Sequence, residues 1–166
     1  DGETDFGILG AKYPSNNLKY LNLLDDEIVL ITPYNDKFPY ENFSYIDKDV
    51  LFKEKFIMRE EGSGTRALVE EVLQKSKISI EKINIIAYVE DTNTIKELVS
   101  LGVGVSFLSK IAIKNDLELK RYKAFYIKDL SLTRKFYFVY HKNRQLSPLS
   151  EKFKDFMLKY IKDQDI

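Results

Sequence analysis

The chain has 166 residues, 44% hydrophobic and 31% charged, which suits one soluble domain or two small lobes. Lys plus Arg equals Asp plus Glu at 26 each, so no net basic charge marks the chain as a nucleic-acid grip by itself. With no cysteine and one histidine, His141, the composition excludes disulfides, thiolate zinc sites, thiol nucleophiles and multi-histidine metal centres.

Residues 6–9, Phe-Gly-Ile-Leu, read as a short buried strand. Gly2 stands just before it, a residue type that commonly stops a helix, although no helix precedes it. Asp25-Asp26-Glu27 reads as a solvated turn, since a metal site wants spaced ligands. Residues 27–31 form the next strand, after which Pro33, Asn35-Asp36 and Pro39 break the chain into loops. Residues 55–58 are a strand. A helix is expected over 65–75, with Leu68, Val69, Val72 and Leu73 on one face. Residues 83–89 are β-rich. The helix after them turns Ile95, Leu98 and Val99 inward, with Thr94 and Glu97 as a capping-box pair and Gly102 as its stop. Residues 103–108 are a strand and 111–116 a short helix. Strands come next over 124–127 and 135–141, the second alternating Phe136, Phe138 and Tyr140 with Tyr137, Val139 and His141. Ser147 caps and Pro148 opens a last helix, whose apolar face is Phe153, Phe156, Met157, Tyr160 and Ile161. Strands alternating with helices indicate an α/β fold with a largely parallel sheet.

Two hydroxyl-rich turns fall at strand-to-helix junctions. Gly62, Ser63, Gly64, Thr65 and Arg66 precede one helix; Thr92, Asn93 and Thr94 precede the next. In a parallel sheet both lie at the carboxyl edge, where ligands of open α/β sheets bind. Unpaired N–H groups and the dipole at a helix start suit a phosphate, sulfate or carboxylate. Ser and Thr serve equally well as plain structural N-caps. Arg66 either adds charge to a site or pairs with Glu70, and Arg59 and Glu60 either face solvent or hold the turn. His141 reads as an ordinary structural or surface residue. No P-loop, nucleophile elbow or zincin motif is present, and no acid and base pair up in any motif, so no catalytic residue and no cofactor is indicated. No apolar run reaches the ~18 residues of a membrane span, and no signal peptide opens the chain; no membrane contact and a cytoplasmic location are expected.

Taken in order, Asp5-Phe-Gly-Ile-Leu, Glu27-Ile-Val-Leu-Ile-Thr-Pro, Phe56-Ile-Met-Arg-Glu-Glu-Gly-Ser-Gly-Thr-Arg, Ile95-Lys-Glu-Leu-Val-Ser-Leu-Gly-Val-Gly-Val-Ser-Phe and Arg134-Lys-Phe-Tyr-Phe-Val-Tyr-His resemble the effector-binding domain of LysR-type transcriptional regulators. The Arg59–Arg66 stretch resembles the branch that regulates sulfur-assimilation genes. The resemblance implies a periplasmic-binding-protein type 2 fold. Residues 32–141 would form one complete α/β lobe, and residues 1–31 with 142–166 part of a second, the chain crossing near residues 31–33 and 140–142. It implies a small anionic effector held by Gly62, Ser63, Gly64, Thr65 and Arg66, and less firmly by Thr92, Asn93, Thr94 and Thr32. It further implies a homo-oligomer when intact, with DNA bound only through a winged helix-turn-helix that this chain lacks. About 50 further residues of the effector domain would also be absent, judged against an ordinary domain length. An extracytoplasmic anion-binding protein of a transporter, or an enzyme on the same fold, are the alternatives.

Overall fold

The apolar run at 27–31 belongs to a much longer strand, β2, spanning 16 residues from Leu18 to Pro33. A computed structural model describes residues 4–10, 12, 14–38 and 40–164, so the expectations at Gly2 and Pro39 lie outside the described residues. The chain divides into a unit of Asp26–Thr133 and a unit made of the residues up to Asp25 and from Arg134 on. Both boundaries fall inside strands, within β2 and at the start of β8 (Thr133–His141), a few residues before the expected crossings.

In the Asp26–Thr133 unit, β2 leads to β3 (Tyr45–Ile46), α1 (Val50–Lys53), β4 (Lys55–Arg59), α2 (Gly64–Lys75), a 3-10 turn (Ile80–Lys82) and β5 (Asn84–Val89). Then come α3 (Thr92–Ser100), β6 (Ser106–Ser109), α4 (Lys110–Leu117) and β7 (Tyr122–Ile127). β4 pairs parallel with β5, β3 parallel with β7, and Phe56 bridges Val105 in parallel. β2 is antiparallel to both β6 and β7, and so runs against strands that otherwise share one direction. The largely parallel expectation therefore holds for this unit with one reversed strand.

Period-2 alternation along these strands builds two cores. Ile28, Leu30, Phe56, Met58, Phe107, Phe125 and Ile127 pack with Val69 and Leu73 of α2 on one face. Val29, Ile31, Ile57, Leu108, Tyr122 and Ala124 pack with Ile95 and Val99 of α3 and Ile113 of α4 on the other. Covered on both faces, these strands read as continuous apolar runs.

The solvated turn expected at Asp25-Asp26-Glu27 is instead strand. Asp26 is only 1% exposed and accepts from the Ser109 hydroxyl at 2.7 Å. Glu27 accepts from Lys110 at 2.6 Å and from the Tyr126 hydroxyl at 2.9 Å. The Lys110 bond holds the Glu27 carboxyl below its ordinary value. A run of carboxylates looks like a turn in one dimension. Its partners lie far along the chain, and they are what make burial tolerable.

In the other unit β1 (Phe6–Leu9) pairs antiparallel with β8, Phe6 opposite Tyr140 and Leu9 opposite Tyr137. β1 is not a buried strand, since Ile8 is 62% exposed. Phe6 stacks on Phe138 at 5.4 Å and meets Phe153 of α5 (Pro148–Gln164) at 5.3 Å. Ser147 caps α5 as expected, its hydroxyl accepting from the Ser150 amide. Of the expected apolar face, Ile161 is buried, whereas Phe156 and Tyr160 are exposed and stack on each other.

The strand expected at 103–108 starts later, at Ser106, because Gly102 (φ +77°) closes α3 and the chain must still turn into the sheet. Gly104 makes that entry possible. A Cβ there would stand 2.6 Å from the Lys55 carbonyl oxygen, the same oxygen that accepts from the Val105 amide at 2.8 Å. Gly104→Ala is therefore expected to destabilise the protein by about 1–3 kcal/mol through this clash with backbone. Chemical denaturation checks it: an unchanged midpoint would mean that the segment shifts off β4 freely.

Candidate functional site

The parallel β4–β5 ladder ends with Arg59 opposite Val89, so the two hydroxyl-rich turns leave the sheet at one edge. At the first turn Gly62 has φ +88°, a left-handed conformation that side chains disfavour, and the Ser63 amide closes the turn on the Glu60 carbonyl. Helix α2 then starts at Gly64, with the Ala67 amide bonded to the Ser63 carbonyl at 3.0 Å.

The two helices treat their N-termini differently. At α3 the cap is Asp91, three residues before the expected Thr94. Its carboxylate accepts from the Thr94 amide at 2.6 Å and from the Thr94 hydroxyl at 2.8 Å. Those two bonds hold the Asp91 carboxyl below its ordinary value. An internal anion thus already sits on the α3 terminus. At α2 the cap position is Ser63, yet its side chain makes no capping bond and the first turn holds no acidic residue. Ser63 is only 7% exposed, and its hydroxyl has no hydrogen-bond partner among the described residues. The first amides of α2, Gly64 to Arg66, cannot be satisfied within the helix. A cap residue that does not cap, at a helix start with no acidic residue in its first turn, leaves the α2 terminus without an internal anion.

The remaining candidates are arranged around this helix start. Thr65 is buried beside Ser63 at the start of α2. Arg66 is drawn aside: its Nε donates to Glu70 at 2.6 Å, which raises its pKa, and its guanidinium lies 4.5 Å from the Tyr88 ring centre. Asn93 is exposed on the second turn, while Thr94 already donates to Asp91. Arg59 holds the turns together. Glu60 clasps two of its nitrogens at 2.7 and 2.9 Å, and its Nη1 donates to the Thr92 hydroxyl at 3.2 Å. Thr32 is fully buried in β2, and its hydroxyl donates to the Pro33 carbonyl and not to either turn. His141 lies outside this region, its Nδ1 accepting from the Asn143 amide. Among the described residues no cluster of His, Asp and Glu could hold a metal. Two cavities of this unit, of about 390 and 290 Å³, are lined by other residues.

Asp91 as cap was legible as Asp three residues before Thr94, a spacing that competes with Thr94 before Glu97. The bond between Arg59 and Thr92 carried no local signal, because the two are 33 residues apart.

Residues 1–162 match the profile described as the LysR substrate binding domain. A curated relative from Trieres chinensis, described as a probable RuBisCO transcriptional regulator, is 32% identical over 81% of this chain and 44% of its own length. One of the same description from Synechocystis sp. is 29% identical over 92% of this chain and 45% of its own. The chain thus spans about half the length of the curated relatives it matches. Among solved structures, the effector binding domain of QuiR in complex with shikimate is 28% identical with a TM-score of 0.76, over 96% of this chain and 72% of that one. The Synechocystis CcmR regulatory domain in complex with 2-PG shares the fold at 24% identity and a TM-score of 0.79, over 96% and 74%. Relatives described as RuBisCO regulators correct the narrower expectation: the Arg59–Arg66 stretch does not by itself mark the sulfur-assimilation branch.

The contrast between the helix starts is testable by stability. Ser63→Ala should leave the melting temperature nearly unchanged, within about 0.5 kcal/mol, because no cap bond is lost. Asp91→Ala should lower it at neutral pH. With its folded pKa below the ordinary value of about 3.9, Asp91 stabilises above that value, and the gain disappears as pH falls through the folded pKa. Melting curves of wild type and Asp91→Ala should therefore converge in acid. A destabilised Ser63→Ala, or a pH-independent Asp91→Ala effect, would refute the assignment of caps.

Proposed function

Because the chain belongs to the LysR substrate-binding-domain family, we propose that it is the effector-sensing part of a bacterial-type transcriptional regulator and not an enzyme. Its ligand would be a small molecule carrying a carboxylate or another oxyanion, held at the α2 start by Ser63, Thr65 and the amides of Gly64 to Arg66, with the Thr92–Thr94 turn beside it. The observation that carries this reading is Ser63, a cap residue only 7% exposed whose side chain makes no capping bond at a helix start with no acidic residue in its first turn. Donors so arranged match acceptor oxygens and need no cationic side chain. That fits the commitment of Arg59 and Arg66 to neighbouring carboxylates. The shikimate complex of the similar QuiR domain supports a hydroxylated carboxylate as the first probe.

Regulation is possible if the ligand prefers one arrangement of the protein over another, since only differential affinity shifts a population. DNA binding would lie in a helix-turn-helix segment of the whole protein, which would act as a homo-oligomer in the cytoplasm. Among the described residues no helix is long and apolar enough to cross a membrane. No feature of the two turns favours the transporter alternative.

Isothermal titration with shikimate, sulfate and inorganic phosphate tests the site. At least one should bind and raise the melting temperature with the logarithm of ligand excess over Kd. Ser63→Ala should weaken that binding roughly tenfold or more, the loss of a hydrogen bond to a charged group being about 1.5–3 kcal/mol. No binding of any of the three at millimolar levels would reject the reading.

A further inference from the structure

Arg59 ends β4 with its side chain only 22% exposed, in a position that does not suit direct capture of an anion. Glu60 occupies its Nε and Nη2 at 2.7 and 2.9 Å, and this contact holds the Glu60 carboxyl below its ordinary value. The pair is close to neutral, and only Nη1 points onward, to the Thr92 hydroxyl at 3.2 Å. A hydroxyl has one proton and two lone pairs. With a lone pair of Thr92 taken by an obligate donor, its proton must turn away from Arg59. Among the described residues, none accepts that proton. Thr94 has the opposite polarity: its proton goes to Asp91, so it presents lone pairs alone. One turn therefore carries a threonine set to donate and, two residues on, a threonine set to accept.

We propose that Arg59 is a positioning residue for the ligand: by holding Thr92 from behind it fixes that hydroxyl as a donor, on the sheet edge shared with Ser63 and the α2 amides. The inference rests on the binding site proposed above and adds a chemical restriction to it. The ligand group facing that proton is an acceptor, for which a carboxylate or phosphoryl oxygen is the strongest match; Thr94, whose own proton is committed to Asp91, offers lone pairs to a donor of the same ligand. Arg59 contributes through the orientation of Thr92 and not through its charge, which Glu60 balances.

A double-mutant cycle separates these roles. Removing Arg59 alone would free Glu60 to repel an anion, so the cycle is run in the Glu60→Gln background, with shikimate, sulfate and phosphate as titrants. Thr92→Val and Arg59→Met should each weaken binding about fivefold, and together no more than the larger single loss, as expected for residues acting as one unit. Thr92→Ser, which keeps the hydroxyl, should bind within about twofold of its parent. Arg59→Leu, which likewise removes the donor, replaces Arg59→Met if that variant does not fold. Losses that multiply, or an Arg59 effect that persists in Thr92→Val and shrinks with added salt, would show a direct charge role and overturn the proposal. So would an Arg59 variant with unchanged affinity or a Thr92→Ser variant as weak as Thr92→Val. If wild type binds none of the three titrants, the site itself fails and this inference falls with it. If wild type binds and the cycle is additive, the site stands and only the role of Arg59 is lost.

Discussion

Everything at the candidate site depends on the parallel pairing of β4 with β5. Parallel neighbours end on the same edge, so the segments that come after them must leave the sheet together. The ladder runs from Lys55 opposite Asn84 to Arg59 opposite Val89, and beyond these ends a short turn leads into α2 at Gly64 and into α3 at Thr92. The helices then part. Val69 and Leu73 anchor α2 in one core, and Ile95 and Val99 anchor α3 in the other. Their bodies lie on opposite faces of the sheet while their starts share its rim. Entry of Val105 beside Phe56, possible because Gly104 has no side chain, holds the other flank of β4.

On that rim, electrostatics makes the two helix starts unequal. Each start carries partial positive charge and unpaired amides. Asp91 answers both demands at α3 from within the chain. No acidic residue does so in the first turn of α2, where Ser63 keeps its hydroxyl out of the cap. The two arginines nearby do not change this balance, since Glu60 and Glu70 hold them. If the rim holds the ligand proposed above, donors without net charge would discriminate by geometry among small anions.

The same unit satisfies its buried charge by long-range pairing. Asp26 meets Ser109, and Glu27 meets Lys110 and Tyr126, so strands β2 and β7 and the start of α4 are joined where the chain passes between its two units. Lys96 of α3 meets Asp116 of α4 at 2.7 Å, and Asp116 also accepts from the buried Tyr122 hydroxyl. Burial and that bond push the Tyr122 hydroxyl's pKa well up, keeping it a neutral donor at any ordinary pH. The helix whose first residue is Thr92 is thereby tied to the sheet through polar as well as apolar contacts.

Alternation and periodicity are local properties, and they determined much of this protein. The strands at Phe6, Lys55 and Lys135, the helices at Gly64, Thr92 and Pro148, and the α/β class are all set by patterns within about ten residues. So is the placing of the two turns at strand ends. Local patterns did not resolve an equal choice, whether Ser63 caps and whether Arg66 turns to Glu70, and they pointed to Thr94 where Asp91 caps α3. They misread charged residues that are buried by partners far along the chain, as at Asp26. They could not show that β2 begins at Leu18, because its first half alternates weakly and carries polar residues. Tertiary structure decided these points, since each depends on what stands across the sheet. Arg59 and Thr92 meet only because β4 and β5 lie side by side, and no pattern within either segment encodes that contact.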